Sequence, residues 1–292
     1  MPPRDRPPLS PHSDEFRLIR DAFAGCEAIG DDAAVLPSGL LLATDTLLEG
    51  RHFLPDADPE LVGRKAVAVN LSDIAAMGGQ PTAITIALTV GRGWDESRLS
   101  ALLRGARSIA EEYDAAIVGG DTTSWDARLA ISVTVLGTAA TPILRSGGRP
   151  GDRLFVSGPL GRSGPTEHHL SFAPRLELGQ RLAAGVDGFR ATAMLDLSDG
   201  LSSDVRHLAA ASRCGVLLDA ALIPRRDGAT LDEALRDGED FELLVAGRGD
   251  AVPDELIAVG HLTDRPNAIE IRVGDSVVAL PARGWSHAIG SD

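Results

Sequence analysis

Aspartates set beside hydroxyls and glycines recur along this 292-residue chain. Five segments share the pattern: Gly30-Asp31-Asp32, Thr44-Asp45-Thr46, Leu71-Ser72-Asp73, Gly119-Gly120-Asp121-Thr122 and Asp196-Leu197-Ser198-Asp199-Gly200. One alone is ordinary, because caps and turns are made of Asp, Ser, Thr and Gly. In the last of them, Asp199 or Ser198 reads equally well as the N-cap of the helix that follows. Five together are harder to dismiss, since each follows or flanks an apolar run that should point into one interior. Converging carboxylates repel one another or are forced to protonate. Divalent cations remove that penalty. Carboxylates with hydroxyls and backbone carbonyls, without His or Cys, select Mg2+ over transition metals. Mg2+ held by few carboxylates completes its shell with substrate phosphates, so a nucleotide phosphate is the natural second component. No Gly-Lys-Ser/Thr of a Walker A loop is present. The loop over 158–164 is not GxGxxG and reads as an interdomain turn before it reads as a phosphate cradle.

The elements that must position these acids follow from periodicity. A helical pattern covers 14–24, after a proline-rich stretch read as a loose tail over 1–13 without the apolar core of a signal peptide. The acids at 31–32 run into a short strand, 37–39 turns the chain, and 40–43 is a second strand ending in Thr44-Asp45-Thr46, so the pair reads as a hairpin. Helices are expected over 59–77, with Pro59 in the first turn, and over 95–113, which is amphipathic. Strands are expected over 82–90, 115–118, 129–136 and 153–157. A helix over 174–184 then precedes the strand that ends at Asp196 and its helix to 212. Later strands fall at 215–219, 241–246, 255–260, 268–273 and 277–280. Helices and strands alternate in both halves, so the class is α/β or α+β. The glycine-rich, basic stretch 144–151 is the best boundary, giving domains over 14–146 and 147–292.

The bulk numbers set limits. Lys plus Arg is 28 against 42 for Asp plus Glu, a net charge of −14. That argues against general nucleic-acid binding and against an anionic membrane surface. Lys65 is the only lysine, so a side-chain cation that touches phosphate is expected to be an arginine. Cys26 and Cys214 sit in no CxxC or Cys/His cluster, which argues against zinc and for two reduced thiols in a cytoplasmic protein. No apolar run approaches a membrane span.

The ordered set of motifs resembles the thiamine-monophosphate kinase family. It comprises Gly30-Asp31-Asp32, Thr44-Asp45-Thr46, Asn70-Leu71-Ser72-Asp73, Gly119-Gly120-Asp121-Thr122-Thr123, Arg145-Ser146-Gly147, Pro150-Gly151-Asp152, Asp196-Leu197-Ser198-Asp199-Gly200 and Gly238-Glu239-Asp240-Phe241-Glu242-Leu243. The resemblance runs over 14–285, and the set is specific although each piece is not. It implies a two-domain aminoimidazole ribonucleotide synthetase-like fold. An N-terminal domain would contribute strands to a barrel-like sheet across a homodimer, beside a C-terminal α/β domain. ATP and several Mg2+ ions would lie between the domains, and the γ-phosphoryl group would pass directly to thiamine monophosphate. Carried onto this sequence, the metal ligands would be Asp31, Thr44, Asp45, Asp73, Asp121, Asp196 and Asp199. ATP would meet Gly120, Asp121, Arg145 and Ser198, with Asp121 and Asp199 central to catalysis. His52, Glu239 and Trp285 match substrate-binding positions. Taken alone, His52 reads as a turn or surface histidine and Trp285 as a core residue.

Three departures stand out. Ala43 occupies a position where the family often has Ser. One glycine, Gly238, precedes Glu239 where the family often has two. The segment 164–174 is shorter than usual, as though a lid-like element were missing. Two alternatives stay open: another ATP-using enzyme of the same superfamily, and a non-catalytic Mg2+–nucleotide binder.

Overall fold

A computed structural model describes residues 18–19, 21–23, 25–26 and 29–285. The expected tail over 1–13 and part of the helix over 14–24 lie outside the described residues; 18–19 and 21–22 are helical. The described residues form two compact units, one of 32–142 with 167–180, the other of the remaining described residues.

The first unit is a sheet covered by helices. Its strands are β1 (Ala34–Val35), β2 (Leu40–Leu48), β3 (Gln80–Val90), β4 (Ala116–Ser124) and β5 (Ala130–Thr138), in the order β1-β2-β5-β3-β4. Only β3 and β4 pair in parallel, and helix α2 (Glu96–Glu112) is the crossover between them. The expected hairpin forms, with Ala34 opposite Leu42 and Val35 opposite Leu41. Within one chain this sheet is open, with β1 and β4 at its edges, so no barrel closes.

Helix α1 (Pro59–Ala76) starts where Asp58 accepts the Glu60 N–H and Pro59 supplies the first turn. It is buried on nearly all sides, from Val62 to Ala76, and so carries little amphipathic contrast. Helix α2 buries one stripe: Leu102, Gly105, Ala106, Ile109 and Ala110. Two glycines let the helices touch. A Cβ on Gly63 would lie 1.8 Å from the Leu102 carbonyl oxygen, and one on Gly105 would lie 1.8 Å from that of Glu60. Under the helices, Leu41, Ala43, Leu47, Ile84, Ile86, Ile131, Val133 and Val135 form the apolar side of the sheet.

The shortened segment carries a one-turn helix α3 (His168–Ser171), which sequence periodicity does not show. Helix α4 (Leu176–Ala184) follows.

The second unit is a seven-stranded sheet in the order β12-β11-β8-β10-β6-β9-β7. Its strands are β6 (Arg153–Val156), β7 (Phe189–Asp196), β8 (Gly215–Asp219), β9 (Leu243–Gly249), β10 (Ile257–Thr263), β11 (Ile269–Val273) and β12 (Ser276–Ala279). All pairings except β8 with β11 are antiparallel, so the mixed class resolves toward α+β. Helix α5 (Leu201–Ser212) buries Leu201, Val205, Leu208 and Ala209 against Leu154, Val156, Leu195, Val216 and Leu244. Helix α6 (Leu231–Arg236) opens with a reciprocal capping box between Thr230 and Glu233. Both described cysteines are free. Among the described residues no helix is long and apolar enough to cross a membrane.

Candidate functional site

In the first unit β2 runs straight through Thr44-Asp45-Thr46, and β4 runs through Gly119-Gly120-Asp121-Thr122. Both segments are expected at strand ends; the structure sets them mid-strand. The physical reason is the ladder. β2 pairs with β5 along its whole length, and β-branched Thr fits a pleated strand. Thr44 Oγ1 donates to the Val133 carbonyl at 3.1 Å and lies 3.0 Å from Thr134 Oγ1; Thr46 Oγ1 lies 2.8 Å from Ser132 Oγ.

Three carboxylates gather here. Asp32 and Asp73 present oxygens within 4.8 Å of one another, and Asp45 is hydrogen-bonded to Asp73. Asp73 stands in the last turn of α1. Asp45 keeps solvent contact but is hemmed in by protein atoms. That desolvation raises its pKa, the Asp32 charge adds to the rise, and the bond to Asp73 opposes it. Sequence reasoning placed Asp31 in this role; the structure puts its neighbour Asp32 there. Asp31 instead accepts the Arg145 N–H through Oδ1 at 2.8 Å.

Asp121 does not join this cluster within one chain. Its strand lies three positions from that of Asp45 in the sheet order, about 14 Å at the usual strand spacing. Gly120 pairs with Ile86, whose carbonyl would lie 1.9 Å from any added Cβ. His52 sits in the loop after β2, where its Nδ1 accepts the Leu48 N–H at 2.8 Å.

The second unit collects the other expected residues around one turn. Asp196 ends β7 and is buried; Ser198 and Asp199 follow it. The expected cap is corrected here. Gly200, at φ 106°, is the N-cap of α5 and no side chain of Ser198 or Asp199 caps it. Asp204, one turn in and 4% exposed, reaches back instead. Its Oδ2 accepts the N–H groups of Asp199 and Gly200 at 3.1 and 3.0 Å. Burial, then the charges of Asp199 and Asp196, push the Asp204 carboxyl well above the usual carboxylate range, against the pull of Arg145.

Two further segments are tied to the same turn. Glu239 donates its N–H to the Ser198 carbonyl at 2.7 Å, and Phe241 donates to that of Leu197 at 2.8 Å. Gly238, Glu239 and Phe241 all have positive φ, at 70°, 53° and 50°. Non-glycine residues held left-handed store about 1 kcal/mol or more each and cluster at functional sites. Trp285 is 41% exposed and donates its N–H to the Asp199 carbonyl at 3.0 Å. Ser198, Asp199, Glu239 and Trp285 are thus brought together by backbone hydrogen bonds. The loop at 158–164 is a brace. Its N–H groups at Leu160, Gly161 and Arg162 go to the Pro224 carbonyl, Asp240 and Asp237.

Asp204 and His207 stand at this turn and are not among the residues expected from the sequence. With Asp199 they present ligand atoms within 4.8 Å of one another. The signal was available as the spacing Asp204…His207 on one face of α5. Burial, then the charges of Arg145 and Arg206, lowers the His207 pKa to about 3. The unfolded chain therefore binds one more proton between pH 6.5 and 3. Stability from this group is complete above the unfolded value and falls as pH drops toward 3. His207→Gln is expected to flatten that acid limb, measured by urea unfolding at a series of pH values in chelator; an unchanged slope would refute the assignment.

Residues 30–139 match the family pattern for AIR synthase related protein, N-terminal domain. The thiamine-monophosphate kinase of Escherichia coli K12 is 37% identical over 288 residues, spanning 85% of this chain and 84% of that protein. That of Salmonella typhimurium is 37% identical over 261 residues, spanning 78% of each. The solved structure of AaThiL complexed with AMPPCP and TMP superposes with a TM-score of 0.84 at 28% identity, over 94% of this chain and 97% of that one. On these grounds the chain belongs to the thiamine-monophosphate kinase family.

Proposed function

We propose that this chain transfers the γ-phosphoryl group of ATP in line to the phosphate of thiamine monophosphate, giving thiamine diphosphate and ADP, with several Mg2+ ions. The bond from the γ-phosphorus to the β,γ-bridging oxygen breaks, and one to an acceptor phosphate oxygen forms. The acceptor is a phosphate monoester whose second pKa is about 6, so at neutral pH it is mostly ionised and needs no general base. The chain's task is alignment and charge control. Family membership supports the reading, as does the likeness to a relative solved with AMPPCP and TMP.

The observation that carries it is the gathering of Asp32, Asp45 and Asp73 in the first unit. An all-oxygen set of this kind fits Mg2+, and on the second unit Asp196 and Asp199 would add carboxylates to it. Asp31, by its bond to Arg145, would orient that arginine's backbone. Bound Mg2+ would supply neutralisation of phosphate charge. Arg145 and Ser198 would meet ATP oxygens. Glu239 and the exposed indole of Trp285 would receive thiamine, whose thiazolium charge suits an aromatic face. His52 would donate from Nε2 to an acceptor on the substrate, since Nδ1 is already an acceptor.

The reading includes a homodimer. All nine residues of the edge strand β4 are exposed, Ile117 and Val118 among them. Such an edge invites a second copy, whose Gly120 and Asp121 would then serve an ATP site that one chain leaves without them. Sedimentation should give twice the chain mass. The decisive assay incubates pure protein with ATP, Mg2+ and thiamine monophosphate and quantifies thiamine diphosphate. Product formation that chelator abolishes is expected. Demonstrable ATP binding without product would favour a non-catalytic binder and overturn the proposal.

A further inference from the structure

Lys65, the one lysine of the chain, is wholly buried within α1, with 0% of its surface exposed. Burying an ammonium is costly unless its N–H groups are met. Nζ donates to the His52 carbonyl at 2.6 Å and lies 2.7 Å from His169 Nδ1. An ammonium has no lone pair, so it donates in both contacts and His169 accepts through Nδ1. The chemistry around His169 agrees: burial first, then the Lys65 charge, lowers its pKa to about 4 and keeps it a neutral acceptor. His169 comes from α3, in the shortened segment.

The loop that carries His52 is braced on several sides. Glu49 accepts from Trp94 Nε1 at 3.2 Å and from the Leu129 N–H at 2.9 Å. Phe53 meets Trp94 edge-on, and Arg98 lies over the same indole while donating to the Pro55 carbonyl at 2.7 Å. Lys65 is the brace that ties residue 52 to α1. A strongly held carbonyl at residue 52 fixes the backbone from which the imidazole projects, while the Leu48 N–H fixes the ring.

We propose that Lys65 is a positioning residue for thiamine monophosphate: shared between the His52 carbonyl and His169 Nδ1, it holds the loop so that the His52 imidazole is presented ready-placed to that substrate. This rests on the reading that His52 touches thiamine monophosphate. It assigns to the one-turn helix of the shortened segment a share in building the acceptor site.

The test is steady-state kinetics of the full-length protein with each substrate varied. Lys65→Met removes both donated bonds while keeping an unbranched stem. It is expected to raise KM for thiamine monophosphate about tenfold and leave KM for ATP within about twofold. In a His52→Ala background it should add nothing further, because both changes remove one interaction. Lys65→Gln, which keeps a donor for the carbonyl, should recover part of the loss. A Lys65→Met enzyme with unchanged KM for thiamine monophosphate, with both KM values raised together, or with additive effects in the double variant would overturn the proposal. If His52→Ala itself leaves that KM unchanged, the substrate reading of His52 falls and this inference with it. If His52→Ala raises KM and Lys65→Met does not, this inference alone falls. Should Lys65→Met not fold, His169→Ala removes one acceptor at a half-buried position and should raise KM for thiamine monophosphate about threefold with KM for ATP unchanged; no change there would equally overturn it.

Discussion

Asp73→Asn is expected to lower kcat about a thousandfold while leaving the Mg2+-free fold at least as stable as the parent. Asp73 links the first unit's cluster, near Asp32 and hydrogen-bonded to Asp45. Without a cation these carboxyls oppose one another, and the Asp45 pKa is already raised. An amide removes one charge and can still bond to Asp45, so the repulsion falls and the Mg2+-free melting temperature should hold or rise. The same change removes an oxygen anion from the site proposed for Mg2+, so stabilisation by Mg2+ with ATP is expected to disappear. Thermal melts with and without Mg2+ and ATP, alongside turnover, separate the two effects. A variant with near-parental kcat would show that Asp73 is only a helix-end residue.

Asp204→Ala is expected to cost about 2–4 kcal/mol of stability, because two N–H groups of the turn lose their acceptor. The damage should reach activity, since the same turn carries Asp196, Ser198 and Asp199 and anchors Glu239 and Trp285 through backbone bonds. Asp204→Asn should be far milder, within about 1 kcal/mol. Burial and two neighbouring negative charges favour the uncharged acid at residue 204, and an amide oxygen can accept the same bonds. Urea unfolding of both variants checks the contrast. Equal losses from Ala and Asn would mean that the charge of Asp204, and not its acceptor oxygen, holds the turn.

The strongly patterned elements were legible in the chain. The helix expected over 95–113 is Glu96–Glu112, capped at Asp95 and ending at Tyr113, because Leu102, Ala106, Ile109 and Ala110 leave no other face to bury. The helix over 59–77 is Pro59–Ala76 for a different reason, its cap and first-turn proline. The one-turn helix α3 has too few residues to show a period, and α6 announces itself only through the capping pair Thr230 and Glu233. Strand ends were misplaced at Thr44-Asp45-Thr46 because Asp and Thr signal turns locally, whereas the ladder with β5 continues through them.

By itself the sequence identified the family, through the order of motifs that set aspartates beside hydroxyls and glycines, and it raised hard-cation chemistry as an expectation. Only the tertiary structure decided which of two adjacent acids joins Asp45 and Asp73. A single residue's step along the backbone sends Asp31 to the Arg145 N–H and Asp32 to the cluster. The same holds for Asp204 in place of a Ser198 or Asp199 cap, and for Lys65 beneath His52, which lies 13 residues away along the chain. Spacing along a chain fixes which side chains share a face; which of them meet across elements is set by packing, where a shift of a few ångströms decides between partners.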